Sequence, residues 1–209
     1  EVVGTTFIDD CQWDRSAEYT SLRGTWTHDL TNGIIQGARP GSSYGVAYLI
    51  NGISADSLYL KADVLGVPTR AGFVIASDGQ LDSGNYYHPV NGIVIQTAYY
   101  GGVYVDGVMS QTINEVPKTD GVWDTWEIYY DTSIKKLTIL VNGVLHQELT
   151  ITSPIAYDKI MLWGYSISVE SLVKFRNIQI IAASPDAPNG IAACIPPIGG
   201  GARYGVEES

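Results

Sequence analysis

Tyrosine is the side chain through which this sequence is best equipped to make contact chemistry. There are 14 of them, and they gather as the doublets Tyr86-Tyr87 and Tyr99-Tyr100, with Tyr104 just past Gly101-Gly102. A phenol ring stacks on the apolar face of a sugar or anchors a protein interface, and its hydroxyl fixes the orientation. Neighbouring residues of a strand face opposite ways, so each doublet is expected to bury one ring and expose the other. Cross-strand aromatic packing within a sheet is the competing reading. Trp123 and Tyr129 make a second candidate patch, opposite the face on which Trp126, Ile128 and Tyr130 are expected to be buried.

The acids point less clearly to a reaction. Glycoside hydrolysis needs two carboxylates flanking one bond. The nearest same-face set is Glu127 and Asp131, whose α-carbons would lie about 13 Å apart at the strand rise, too far for a local retaining pair. His28, His88 and His146 are scattered. His28-Asp29 invites a triad reading, but adjacent strand residues diverge. A lyase acting on an acidic sugar would want a basic patch around a Tyr/His pair, for which 12 basic residues are a poor supply. No catalytic residue is therefore assigned. Asp9, Asp10 and Asp14 are the densest carboxylate cluster and candidate ligands for calcium, which takes six to eight oxygens; a solvated or ion-paired cluster is the alternative, and the spacing is not that of an EF-hand. No other cofactor is expected. Cys11 and Cys194 are either two separate core residues or, in an oxidising compartment, a disulfide closing a very long loop, with a model stabilisation of about 4–5 kcal/mol.

Composition narrows the partners. The formal charge is −10, which opposes both nucleic acid and anionic membrane surfaces. No apolar run approaches the roughly 20 residues of a membrane span. The chain opens at Glu1 without methionine, as a processed secreted protein or an excised fragment would. None of the eight asparagines begins an Asn-x-Ser/Thr sequon.

These residues must be positioned by short strands. In Leu137–Val141 the apolar side chains alternate, Asn142-Gly143 supplies a two-residue hairpin turn, and a second strand returns from Val144. Asn32-Gly33, Asn51-Gly52, Asn91-Gly92 and Asp106-Gly107 punctuate similar runs. About a dozen such strands and no amphipathic helix predict an all-β, antiparallel two-sheet sandwich or jelly roll. The alternation slips at Phe175-Arg-Asn-Ile178, which predicts a β-bulge. The sandwich is expected over residues 1–181. Residues 182–209, with four of the nine prolines and Gly199-Gly200-Gly201, read as a linker or as an arm held by a neighbouring chain.

The order of motifs resembles the concanavalin A-like lectin/glucanase superfamily, its laminin-G-like members above all. Phe7-Ile-Asp-Asp10 is similar to the opening strand. Gly24-Thr-Trp26 with Asn32-Gly33-Ile-Ile-Gln-Gly37 resembles the following hairpin. Leu58–Val64 and Gly72-Phe-Val-Ile-Ala76 resemble the central strands. The most specific match is Trp126-Glu-Ile-Tyr-Tyr-Asp131 followed by Leu137–Gly143, and Ile160-Met-Leu-Trp-Gly164 with Val173-Lys-Phe-Arg-Asn-Ile178 resembles the closing strands. The resemblance implies a concave face often used for glycans and sometimes carrying calcium. Two departures stand out: the Glu-x-Asp-x-Glu pattern of the glycosidases is missing, and Arg176 occupies the place of an aspartate, where pairing with Asp9 or Asp10 is expected. The leading expectation is a non-catalytic extracellular or cell-surface protein, a structural or adhesive subunit that forms homo-oligomers or polymers through its tail or a sheet edge. A carbohydrate-binding module of a larger secreted protein is the first alternative, and a glycan-active hydrolase or lyase the second.

Overall fold

The computed structural model describes residues 5–39, 45–53, 57–66, 70–84, 87–153, 155, 157–165 and 172–183. Tyr86, Cys194 and the tail from 184 onward lie outside these, and with them the expected disulfide and the tail-mediated contact.

Among the described residues, fifteen strands form two antiparallel sheets. They are β1 Thr5–Asp9, β2 Tyr19–Arg23, β3 Thr25–Asp29, β4 Ile34–Ala38, β5 Gly45–Ile50, β6 Ser57–Leu65, β7 Arg70–Ser77 and β8 Gly92–Gln96. The chain continues through β9 Gly101–Val105, β10 Val108–Ile113, β11 Trp123–Asp131, β12 Lys136–Val141, β13 Val144–Thr150, β14 Lys159–Tyr165 and β15 Val173–Ala183. Sheet I runs β13-β12-β11-β6-β15-β4-β3, with β1 also paired to β15, and sheet II runs β10-β9-β8-β7-β14-β5-β2. This is the expected antiparallel two-sheet jelly-roll sandwich. Neither β2 nor β10 is announced by the sequence, because β2 has one buried, two exposed and two half-buried residues and β10 is exposed along most of its length, so neither has an alternation to detect.

Local chemistry sets the turns. Asn142 and Gly143 have φ of 52° and 75°, and Asp106 and Gly107 have 50° and 76°, the pair of left-handed residues that a two-residue hairpin needs. In β15 the register shifts between Arg176 and Gln179, with Asn177 at φ 53°, so the expected bulge is present.

The core lies between the sheets. Leu58, Leu60, Ala62 and Val64 of β6 and Trp126, Ile128 and Tyr130 of β11 all point into it, and are all buried. One flank is filled by a ladder of rings, Trp26 on Tyr48 at 4.7 Å and Tyr48 on Tyr19 at 4.6 Å. The opposite flank is stitched by side chains. Gln111 of β10 donates to the Thr150 carbonyl at 2.8 Å and accepts from the Thr152 amide at 3.0 Å, and Gln147 of β13 accepts from the Asn114 amide at 3.0 Å. These bonds tie the two edge strands together at their C-terminal ends, at Thr150 of β13 and just past the strands at Asn114 and Thr152.

Charge is divided between the sheets. The seven strands of sheet II contain no Asp or Glu, and their charged residues are Arg23, Arg70 and Lys159. The strands of sheet I hold seven acids against four basic residues.

Candidate functional site

The outer face of sheet II is aromatic and apolar. Alternation sends Phe73 and Ile95 into the core, so Gly72, Val74, Val94 and Gln96 point outward. Register then places Met161 beside Val74, Trp163 beside Gly72 and Tyr165 beside Arg70.

Most of this face is roofed by the chain itself. Between β7 and β8 the described residues 78–84 and 87–91 double back as a strap, held by the Val90 amide on the Gln80 carbonyl at 3.0 Å and the Asp82 amide on the His88 carbonyl at 2.8 Å. Within it His88 lies nearly parallel to Tyr104 of β9 at 4.8 Å and to Trp163 of β14 at 5.8 Å. The Trp163 indole N–H donates to the Tyr87 carbonyl at 3.2 Å. Arg23, at the end of β2, lays its guanidinium over the Tyr87 ring at 4.2 Å and donates to its hydroxyl at 2.7 Å. The strap therefore crosses the sheet from β9 to β2. Burial pushes His88 below its ordinary value, with Asp82 opposing and Arg70 assisting. Burial likewise pushes the Tyr104 hydroxyl up to about 12, with the Asp82 charge adding to it.

One end of the face is different. Tyr99 and Tyr100 are each 54% exposed, and the expectation of one buried and one exposed ring fails here. Ala98 takes φ 60° and begins a turn, so strand alternation does not apply to the doublet. The Arg70 guanidinium sits over Tyr99 at 4.1 Å and over Tyr165 at 5.0 Å. The Gln96 amide donates to the Tyr100 carbonyl at 2.6 Å, fixing the turn from beneath. Neither Arg70, Tyr165 nor Gln96 was singled out in the sequence; cross-strand register brings them there, and no local signal marks them.

The other expected residues are placed as follows. Tyr104 is buried under His88, and Tyr87 is half-buried in the strap. Tyr129 is buried on the outer face of sheet I, stacked on Tyr59 at 4.8 Å, and both hydroxyls donate to Glu127. Burial, then the Glu127 charge, pushes the Tyr129 hydroxyl up to about 12. Trp123 is half-buried and carries the Arg176 guanidinium at 4.3 Å. Arg176 pairs with Asp63 at 3.1 Å, not with Asp9 or Asp10, because alternation with the buried Phe175 puts it on the outer face, directly in register with Asp63. Thr125 and Asn177 also donate to Asp63; burial would raise that carboxyl, but these bonds and Arg176 outweigh it and hold it low.

The three aspartates diverge. Asp9 is buried and accepts from the Cys11 amide and the Tyr19 hydroxyl, both at 2.7 Å. Asp10 caps the Gln12 amide and Asp14 the Ser16 amide. Among the described residues no three His, Cys, Asp or Glu side chains converge as a metal site. Cys11 is buried, and burial followed by the Asp9 charge pushes its thiol up to about 12. The segment Gly41-Ser-Ser-Tyr-Gly45 has the spacing of a nucleophile elbow, yet it leads into β5 rather than from a strand into a helix, and Ser43 lies outside the described residues. Among the described residues, no helix is long and apolar enough to cross a membrane.

No protein-family model and no curated protein matches the sequence. Solved structures do match in three dimensions. A Bacillus licheniformis β-glucanase aligns at a TM-score of 0.60 and 13% identity, covering 86% of this chain and 99% of that one. Winged bean acidic lectin, complexed with methyl-α-D-galactose, aligns at 0.59 and 12%, covering 87% and 99%. The carbohydrate-binding module CBM66 from Bacillus subtilis aligns at 0.53 and 14%, covering 78% and 94%. At these identities the likeness is one of fold, and the fold is the concanavalin A-like jelly roll.

Proposed function

We propose that this protein is a non-catalytic glycan-binding β-sandwich of an extracellular setting, and that the sugar docks on the Tyr99–Tyr100 end of sheet II. The observation that carries the reading is the pairing of two half-exposed rings with a sheet whose seven strands hold no carboxylate. Rings that project from a fixed turn supply stacking area at little entropic cost. A glycosidase working on this sheet would need two acids, one on each side of the scissile bond, and its strands offer neither. The lyase alternative fares no better: a tyrosine base needs an easily removed proton, whereas burial pushes the Tyr104 hydroxyl beside His88 up to about 12 and also raises the Tyr48 hydroxyl that meets His28 Nε2 at 3.2 Å. The solved structures that share the fold include a carbohydrate-binding module and a lectin, which supports the reading.

An assembly subunit is the less favoured alternative, because the carboxylate-free, ring-bearing end of sheet II supports a ligand directly, whereas the Gln111 and Gln147 bonds tie β10 and β13 to each other only at their ends. Calcium remains a proposal without a convergent ligand set among the described residues.

Isothermal titration of the purified protein with mixed-linkage β-1,3-1,4-glucan oligosaccharides, methyl α-D-galactoside and polygalacturonate tests the reading. Binding to at least one of them, lowered about tenfold or more by Tyr99→Ala/Tyr100→Ala without release of reducing ends, is the expected result. No binding by the wild type, or binding untouched by the double substitution, refutes it.

A further inference from the structure

Gln96 is 1% exposed and lies on the outer face of sheet II, one rung in from the Arg70–Tyr165 rung. Its amide orientation is fixed: Nε2 donates to the Tyr100 carbonyl at 2.6 Å, and the flipped amide would set oxygen against oxygen. Its Oε1 is buried and meets no donor among the described residues. A buried acceptor left unmade is costly, and native proteins keep few of them without a use. Across Gly72 from Gln96 stands Trp163. Gly72 has no side chain, and none would fit, since a Cβ there would come within 1.9 Å of the Ile95 carbonyl oxygen. The Trp163 and Gln96 backbones are thus two strand spacings apart, about 9.6 Å, over a floor of bare backbone. The lid of this seat is the Tyr99–Tyr100 turn, which starts at Ala98 in the left-handed region, φ 60°, a conformation that alanine adopts only under restraint.

Resting on the glycan-binding reading above, we propose that Gln96 is the polar anchor of the sugar seat and that the ligand it selects is a neutral, hydroxyl-bearing sugar. A sugar hydroxyl donates to Oε1 when the Tyr99–Tyr100 turn shifts to admit it, and the rings then close on the sugar face. A carboxylate or sulfate brings only acceptors and would oppose Oε1. The cation nearest this end, Arg70, has its guanidinium laid on the Tyr99 and Tyr165 rings, where it stiffens the platform. Gln96 is in this account a specificity-determining residue; nothing is transferred.

Titrations with the same three probes, run on the wild type, Gln96→Met and Gln96→Asn alongside thermal melts, test this. Methionine keeps length and removes both the unmade acceptor and the Nε2 donor to the Tyr100 carbonyl; asparagine keeps polarity and loses reach. The expected result is that the wild type binds a neutral probe, that both variants bind it about tenfold more weakly, and that Gln96→Met melts within about 4 °C of the wild type, the lost Tyr100 bond being offset by removal of the unmade acceptor. Should Gln96→Met fail to fold, Gln96→Asn decides alone. Equal affinity in the variants, or binding of polygalacturonate alone, overturns the role of Gln96 while leaving a glycan-binding protein. Failure of the wild type to bind any probe overturns both.

Discussion

Asp9 is enclosed in the core with one oxygen on the Cys11 amide and the other on the Tyr19 hydroxyl. Tyr19→Phe leaves that second oxygen unpaired in a buried place, and a loss of about 2 kcal/mol in urea-unfolding free energy is expected. In the sequence Asp9, Asp10 and Asp14 looked like one cluster. They part because Asp10 follows Asp9 on the opposite face and Cys11, at φ 59°, turns the chain away. The half-buried imidazoles His28 and His88 shape the acid side of the stability curve. Burial lowers both His28 and His88 from their ordinary 6.5, so the unfolded chain binds more protons than the folded one once the pH falls below that value. Stability is therefore full above about pH 6.5 and is lost as the pH falls through the lower folded values. His88→Gln is expected to flatten that decline in melts between pH 7 and pH 5. Asp63 adds a second loss at more acid pH, below its ordinary 3.8, since the bonds from Thr125, Asn177 and Arg176 hold its folded value low.

At the scale of elements, two glycines separate the kinds of constraint. A Cβ at Gly72 would strike the Ile95 backbone, whereas one at Gly143 meets nothing within 4 Å and faces only the left-handed φ of 75°. Gly72→Ala is expected to cost more than about 3 kcal/mol or to prevent folding, and Gly143→Ala about 1 kcal/mol, as denaturant midpoints will show. Removing the stitch between the edges by Gln111→Ala is expected to cost about 1–2 kcal/mol and to speed hydrogen exchange at Thr152. Turns at Asn142-Gly143 and Asp106-Gly107 and the bulge at Asn177 were legible in the sequence because each is dictated by a few adjacent residues. The strap was not. Its contacts join residues 64 and 76 apart, Arg23 to Tyr87 and Tyr87 to Trp163, and no local pattern announces which face a loop will cover. The Tyr doublets were found as residues, but the turn at Ala98 that exposes both rings of Tyr99-Tyr100 is held by the Gln96 amide on the Tyr100 carbonyl and by the Thr97 amide on the Ala71 carbonyl of the neighbouring strand, a partner that no local pattern announces.

Across the whole molecule, the fold class followed from turn spacing and alternation, while the candidate seat emerges only when β7, β8 and β14 are laid side by side. The net charge of −10 conceals a division that composition alone cannot reveal. Acids lie on the strands of sheet I and are missing from those of sheet II, which retain Arg23, Arg70 and Lys159. The strap brings Asp78 and Asp82 back over sheet II, so the division belongs to the strands and not to the two sides of the molecule. At the end that carries Tyr99 and Tyr100, an arriving molecule meets two rings and the Arg70 guanidinium laid on them, and a strand surface free of carboxylate.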